Sequence, residues 1–375
     1  MSLTTPPPGA TGVITVDLAA LRGNWQSLSR LVAPAECAAV VKADAYGLGA
    51  NRVIPALKAA GCRTFFVATA DEARQARLLA PSAVIYVLDG LLPGAAPALA
   101  DMGVRPALST LEDVREWAAL ARSRGRRLPA ALHIDSGLNR LGLSDDEIKA
   151  LATNSELARA IEVTLVMSHL ACADEPDQAL NAEQLAAFNR RRAILPDAPA
   201  SLAASDGLML GKPFHFSLVR PGYALYGGQA FQGGQTPVKP VVSVKVRVLQ
   251  VHDVRPGDTV GYSATWKAVE PSRIATIAAG YADGIPRQLS AGSTDRGGEA
   301  SIGGQVFPIV GRVSMDLITI DISGAVAEVR RGDWAELIGP NLPIERVAQR
   351  AGTIGYEILT RLGRRFHRDY VEGVE

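Results

Sequence analysis

From Glu36 to about Gly222, short apolar runs rich in Val, Ile and Leu alternate with longer stretches of helical period. The apolar runs predict strands near Ala38–Val41, Thr64–Val67, Val84–Leu88, Val104–Leu108, Ala130–Ile134, Val163–Ser168, Ala200–Ala203 and Phe214–Val219. Between them, Leu111–Arg124 and Asp177–Leu195 have amphipathic helical spacing, with Thr110 and Asp177 as predicted N-caps and Pro196 as a stop. Strands alternating with helices imply a parallel sheet. About eight such units is the number required by a (β/α)8 TIM-type barrel. A doubly wound sheet, which needs fewer strands, is the architectural alternative.

After Tyr226 the pattern changes. Residues 227–237 are rich in Gly and Gln without any period and read as a linker. Val241–Val254 then alternates in strand period, and shorter strands are predicted at Ile274–Ala278, Ala300–Ile302, Val306–Ile309, Leu317–Ile320 and Ala335–Ile338. One late helix is predicted around Ile344–Ala351. The expected organisation is an N-terminal strand within residues 1–16 that pairs with the β domain, a barrel over 17–236, and a mainly β C-terminal domain over 237–375. No short-period repeat occurs, and the only low-complexity tract is Pro6–Pro8.

Composition narrows the classes. The 375 residues carry 39 basic and 38 acidic side chains, a formal charge of +1, which argues against nucleic acid or any other polyanion as partner. With 47% hydrophobic and 21% charged residues the chain is an ordinary globular one. Cys37, Cys62 and Cys172 are odd in number and form no CxxC pair, so neither a disulfide framework nor a zinc site is indicated. No basic-then-apolar leader opens the chain and no apolar run is long enough to span a membrane, so the expected compartment is the cytoplasm. The basic runs Arg190–Arg192 and Arg364–Arg368 read as solvated faces or dimer contacts.

In a barrel, the polar residues that follow strands form the active face. Lys42 follows the first strand, Arg140 the fifth, His169 the sixth, Ser205 the seventh and Arg220 the eighth. The loops 205–207 and 220–223 lie where barrels often bind phosphate, and hydroxyls with glycine amides there can hold a dianion without a basic excess. A lysine opposite such a cradle suggests a pyridoxal phosphate Schiff base, although aldolases also pair barrel lysines with phosphate.

The segment Val-Val-Lys42-Ala-Asp-Ala-Tyr-Gly-Leu-Gly resembles the pyridoxal-lysine signature of the alanine racemase family. The resemblance continues in order through Leu-Asn-Arg140-Leu-Gly, Ser-His169-Leu, Val-Arg220-Pro-Gly-Tyr-Ala-Leu-Tyr-Gly, Val-Gly-Tyr262-Ser-Ala-Thr, Gly-Tyr281-Ala-Asp-Gly, Gly-Arg312-Val-Ser-Met-Asp316 and Gly-Tyr356-Glu. It implies a barrel plus a β domain, pyridoxal 5'-phosphate as cofactor, no metal, and a homodimer with shared active sites. It further implies racemisation of alanine, which supplies D-alanine for peptidoglycan or serves its catabolism. Lys42 would hold the cofactor and act as base on one face of the α-carbon, and Tyr262 of the partner subunit would act on the other. Free lysine and tyrosine titrate near 10.4 and 10, so such work needs one neutral lysine or one ionised tyrosine.

By the same resemblance Arg220 faces the pyridine nitrogen and His169 bonds Arg220 and Tyr262. Tyr46, Ser205, the Gly222 and Tyr223 amides and Tyr356 hold the phosphate. Arg140, Met315 and Asp316 contact substrate and the cofactor oxygen, and Asp174, Tyr281, Arg287, Arg312 and Ile354 line the access corridor. One position departs from the family: many members carry a lysine, modified to a carbamate, where this chain has His133. Imidazole cannot form that group, so Arg140 must be held by a bound anion or by His133 itself.

Two other functions fit the residues less well. A racemase for serine or another amino acid is disfavoured because Tyr281 and Tyr356 would narrow the entrance. A non-catalytic pyridoxal-phosphate-binding protein would need no second base.

Overall fold

The computed structural model describes residue 7, residues 9–294 and residues 297–373. The stretch read above for a leader, and most of the Pro6–Pro8 tract, lie outside these residues. The chain divides into two compact units. One takes Leu21–Leu225 with Gln229–Val238, and the other takes the chain before Leu21, Tyr226–Gly228 and everything from Lys239 onward.

The first unit is the barrel. Its strands are Glu36–Cys37 with Ala39–Val40, Thr64–Val67, Val84–Val87, Arg105–Leu108, Leu128–His133, Ile161–Met167, Ala200–Ser201 and Leu218–Val219. From Ala39–Val40 to Ala200–Ser201 each pairs in parallel with the next. The eighth closes the ring. Leu218–Val219 pairs in parallel with Glu36–Cys37, while the Ser217 and Arg220 amides donate to the Ala200 and Ala203 carbonyls, both at 3.0 Å.

Helices face one side of these strands and the barrel interior the other, so the strands read as apolar on both faces; Phe65, Phe66, Ala131 and Leu132 are wholly buried. The last strand is shorter than its apolar run because Lys212–Phe214 forms a 3-10 turn after Gly211. Helix Leu111–Ser123 starts at Thr110, whose hydroxyl accepts from the Asp113 amide in a capping box. The expected cap at Asp177 is not formed: helix Ala179–Arg192 starts after Gln178, without a side-chain cap, and ends before Pro196. The Gly/Gln-rich segment is folded rather than a free linker, since the Gln229 side chain pairs with both the amide and the carbonyl of Thr236.

The second unit is a curled sheet. The Val242–Val254 strand runs through its middle, pairing first with Gly12–Asp17 and Trp334–Ile338, then, past a bulge after Val248, with Ser272–Ile277. Gly12–Asp17 also pairs in parallel with His367–Val371, so the N-terminal strand is built into the β unit. Val260, Ile274 and Val310 form one buried cluster, flanked by Val254 and Trp266. A second late helix, Gly355–Arg361, follows Ile344–Arg350.

Candidate active site

At the carboxyl rim of the barrel the chain leaves Val40 through Val41 and Lys42 and then makes one left-handed turn. Ala43, Asp44, Ala45 and Tyr46 all have φ between 53° and 57°, a conformation costing roughly 1–2 kcal/mol per non-glycine residue. Side chains hold this strained turn. The Glu72 carboxylate accepts from the Ala43 amide at 2.7 Å, and the Asp44 carboxylate accepts from the Ala50 amide at 2.7 Å, at the start of helix Ala50–Ala60. The turn fixes Lys42 at the rim and returns Tyr46 into the barrel, where it is buried.

Burial and then the Arg140 charge lower the Lys42 ammonium from its ordinary value; Arg220 adds to this, while Asp89 and Glu72 oppose it. Among the described residues the Lys42 amine takes part in no hydrogen bond or ion pair.

Arg220 is 3% exposed. It donates to the Ser201 hydroxyl at 2.5 Å, to the Ser168 carbonyl at 2.6 Å and, at 3.4 Å, to the Leu202 carbonyl, and it lies 3.4 Å from His169 Nδ1. Its guanidinium also sits over the Phe66 ring, 5.9 Å from the centroid. Among the described residues no carboxylate pairs with it. Burial draws it down to about 10, so it remains charged at neutral pH. Burial, followed by Arg220, pushes His169 down to about 3 and His133 to about 4; both are neutral imidazoles.

Beside Arg220, the Ser205 hydroxyl oxygen accepts from the Gly222 amide at 3.0 Å and from the Ala224 amide at 3.2 Å. A Cβ on Gly222 would fall 2.2 Å from the Tyr46 hydroxyl, so only glycine fits there. Burial and the Asp206 charge raise the Tyr46 phenol well above its ordinary value, which keeps it a neutral donor. Hydroxyls and amides of this kind are a donor set suited to a single phosphate.

Arg140 lies at the exposed tip of a loop whose turn is tied by Asp135, whose carboxylate accepts the amides of Gly137, Leu138 and Asn139. Among the described residues it has no ion pair, and His133 does not hold it: His133 Nδ1 lies 3.2 Å from the Ser109 hydroxyl. Asp174 is half-buried in the loop after the sixth strand, where its carbonyl accepts from the Gln232 amide. Tyr223 is buried at the start of a 3-10 turn.

The remaining candidates belong to the β unit. Tyr262 is 71% exposed on a 3-10 turn after Gly261. The Gly261 backbone packs against Gly311 and Arg312, so Tyr262 and the half-buried Arg312 share one edge. Tyr281, Met315 and Asp316 are brought together by amides of the 281–282 turn donating to the Ser314 and Met315 carbonyls, both at 3.0 Å. Arg287 is exposed in a short 3-10 turn, and Ile354 and the half-buried Tyr356 open helix Gly355–Arg361.

Sequence reasoning missed Ser201, Ser168, Ser109, Ala224 and Glu72. Ser168 carried the same strand-end signal as His169. Glu72 carried none, because its partner Ala43 is 29 residues away.

Two family models cover nearly the whole chain: the alanine racemase N-terminal domain over residues 16–230 and the alanine racemase C-terminal domain over 241–370. The chain belongs to the alanine racemase family. A curated relative from Methylobacterium sp. (strain 4-46), named alanine racemase, is 53% identical over 98% of this chain and 99% of its own length. A relative from Agrobacterium fabrum, named alanine racemase, catabolic, is 48% identical over 97% of this chain and 93% of its own. Among solved structures, the alanine racemase from Bartonella henselae, described with covalently bound pyridoxal phosphate, superposes with a TM-score of 0.93. It is 42% identical and spans 96% of this chain and all of its own. The (β/α)8 barrel followed by a mainly β unit is therefore this family's architecture. Among the described residues no group of three or more His, Cys, Asp or Glu could hold a metal ion, and no helix is long and apolar enough to cross a membrane.

Proposed function

We propose that this chain interconverts L-alanine and D-alanine with pyridoxal 5'-phosphate held on Lys42, and that Lys42 and Tyr262 are its two bases. The observation that carries this reading is the buried Arg220, a cation held only by neutral acceptors on the rim that also bears Lys42. Burying a charge without a counter-charge is costly, and a ligand group that benefits from it explains its retention. The residues fit the cofactor. Tyr46, Ser205 and the Gly222 and Tyr223 amides suit its phosphate. Lys42 is a half-buried amine of lowered basicity at the same rim.

Bound there, the cofactor supplies an electron sink that acidifies the Cα–H bond of the amino acid. Arg220 would oppose a proton on the ring nitrogen, which weakens that sink and favours return of the proton to the α-carbon over transamination. Racemisation needs removal of a proton from one side and delivery from the other, so two groups must flank the carbon. Lys42 Nζ, its basicity lowered by burial and Arg140, takes or gives the proton on one face. Tyr262 Oη of the partner subunit serves the other. Arg140 and the Met315 amide orient the carboxylate.

Support for a homodimer comes from the β unit. Tyr262 (71% exposed), Ile354 (62%), Met315 (53%) and Tyr281 (44%) are large apolar surfaces left open on one chain. The three free cysteines are consistent with a reducing, cytoplasmic compartment.

Purified protein loaded with pyridoxal phosphate is expected to show the visible absorption of a covalently bound cofactor, and Lys42→Ala to lose it with an unchanged far-UV circular dichroism spectrum. The same band surviving in Lys42→Ala would remove Lys42 from the cofactor site.

A further inference from the structure

Within the basic run Arg364–Arg368, Arg364 and Arg365 are exposed, and Arg365 also forms ion pairs inside the chain. Arg365 reaches across two loops of the β unit. Its Nε and Nη2 donate to both oxygens of Asp283 at 2.7 and 2.8 Å, and its Nη1 donates to Asp316 at 2.6 Å. Asp283 is 4% exposed and accepts a third bond, from the Gly280 amide at 2.9 Å. The joined segments approach each other closely. A Cβ on Gly280 would lie 2.3 Å from the Met315 carbonyl, and one on Gly284 would lie 1.9 Å from the Arg361 carbonyl. The Tyr281 and Ala282 amides bond the Ser314 and Met315 carbonyls, and the Gly363 amide bonds the Asp283 carbonyl.

The arrangement changes the reading of Asp316. One oxygen of its half-exposed carboxylate, Oδ1, is engaged by Arg365. The Arg365–Asp316 arm is half-exposed and weak by itself, since solvent screens it. The bidentate arm to buried Asp283 gives the guanidinium one fixed orientation, which the exposed arm then transmits to the Met315–Asp316 loop.

We propose that Arg365 is a positioning residue: by tying Asp283 to Asp316 it sets the spacing between Tyr281 and the Met315 amide, and so restricts the enzyme to α-amino acids with small side chains. This rests on the reading of Tyr281 and Met315 as substrate-side groups. Lysine at this position cannot form both arms, because a single ammonium lacks the planar fork.

The test compares wild type, Arg365→Lys, Asp316→Asn and the double variant, each loaded with pyridoxal phosphate. Kinetics are measured on alanine and serine, and propionate binding is measured by titration calorimetry. Propionate carries alanine's carboxylate and carbon skeleton without its amine.

The expected result is an unchanged cofactor band, a KM for alanine and a Kd for propionate each raised about tenfold, kcat changed less than threefold, and a narrower preference for alanine over serine. The double variant should be no worse than Arg365→Lys, because both substitutions break the same link. Unchanged KM and propionate affinity in folded, cofactor-loaded Arg365→Lys would overturn the proposal, as would fully additive effects in the double variant. If instead wild-type protein with bound cofactor does not racemise alanine, the functional reading has failed, and propionate affinity still decides the role of Arg365.

Discussion

His133 and His169 show how a buried cation shapes the residues around it. Burial and Arg220 hold them at about 4 and about 3, whereas in the unfolded chain they titrate near 6.5. The unfolded state therefore binds more protons than the folded state below that pH. The stability they contribute is complete above about pH 6.5 and is lost as pH falls toward 4. Between pH 7 and pH 5 each should account for at most about 2 kcal/mol of lost stability. His133→Asn, which can still bond Ser109, should lower the acid-induced drop in urea midpoint; an identical pH dependence would show that His133 titrates normally. The sequence announced Lys42 and Arg220 through their strand ends and motifs. It was silent on Ser201, which helps to hold Arg220, because a serine within a strand carries no distinctive spacing, whereas Ser168 shared the strand-end signal of His169.

The strands of the barrel were legible because their apolar runs are buried on both faces, and Thr64–Val67 lies where its run places it. Less legible were the elements made by local bonding. The left-handed turn after Lys42 uses Ala, Asp, Ala and Tyr, and only Asp44 among them is a residue type enriched at positive φ. Helix Gly355–Arg361 has only seven residues, too few to show a period. Glu72 links two such elements. Its carboxylate completes a capping box with Thr69 at the start of helix Ala70–Leu79, accepts from the Ala68 amide at 2.7 Å, and also holds Ala43. Glu72→Ala should lower stability by about 1–2 kcal/mol through loss of the cap. It should also weaken cofactor retention roughly tenfold by releasing the turn that presents Lys42. Thermal unfolding and gel filtration of the loaded protein check both, and retention equal to wild type would show that the strained turn holds without Glu72.

For the molecule as a whole, a charge of +1 excluded polyanions without excluding a single phosphate, because one phosphate held by amides and hydroxyls needs no basic excess. The second unit was legible as β-rich from its alternation, and it is this unit that carries Tyr262. The central claim, two bases donated by two subunits, has a direct test in subunit mixing. Lys42→Ala and Tyr262→Phe are each expected to be nearly inactive alone, with the proton-transfer partner worth about 10²–10⁴-fold. Mixed and allowed to exchange subunits, they should form dimers in which one site has wild-type Lys42 from one chain and wild-type Tyr262 from the other. Chiral chromatography of L-alanine incubated with the equimolar mixture should then show D-alanine forming at about a quarter of the wild-type rate, the value for random pairing in a C2 dimer with one intact site per mixed dimer. A mixture as inactive as its two components, with mixed dimers demonstrated and the cofactor loaded, would contradict a shared two-base site.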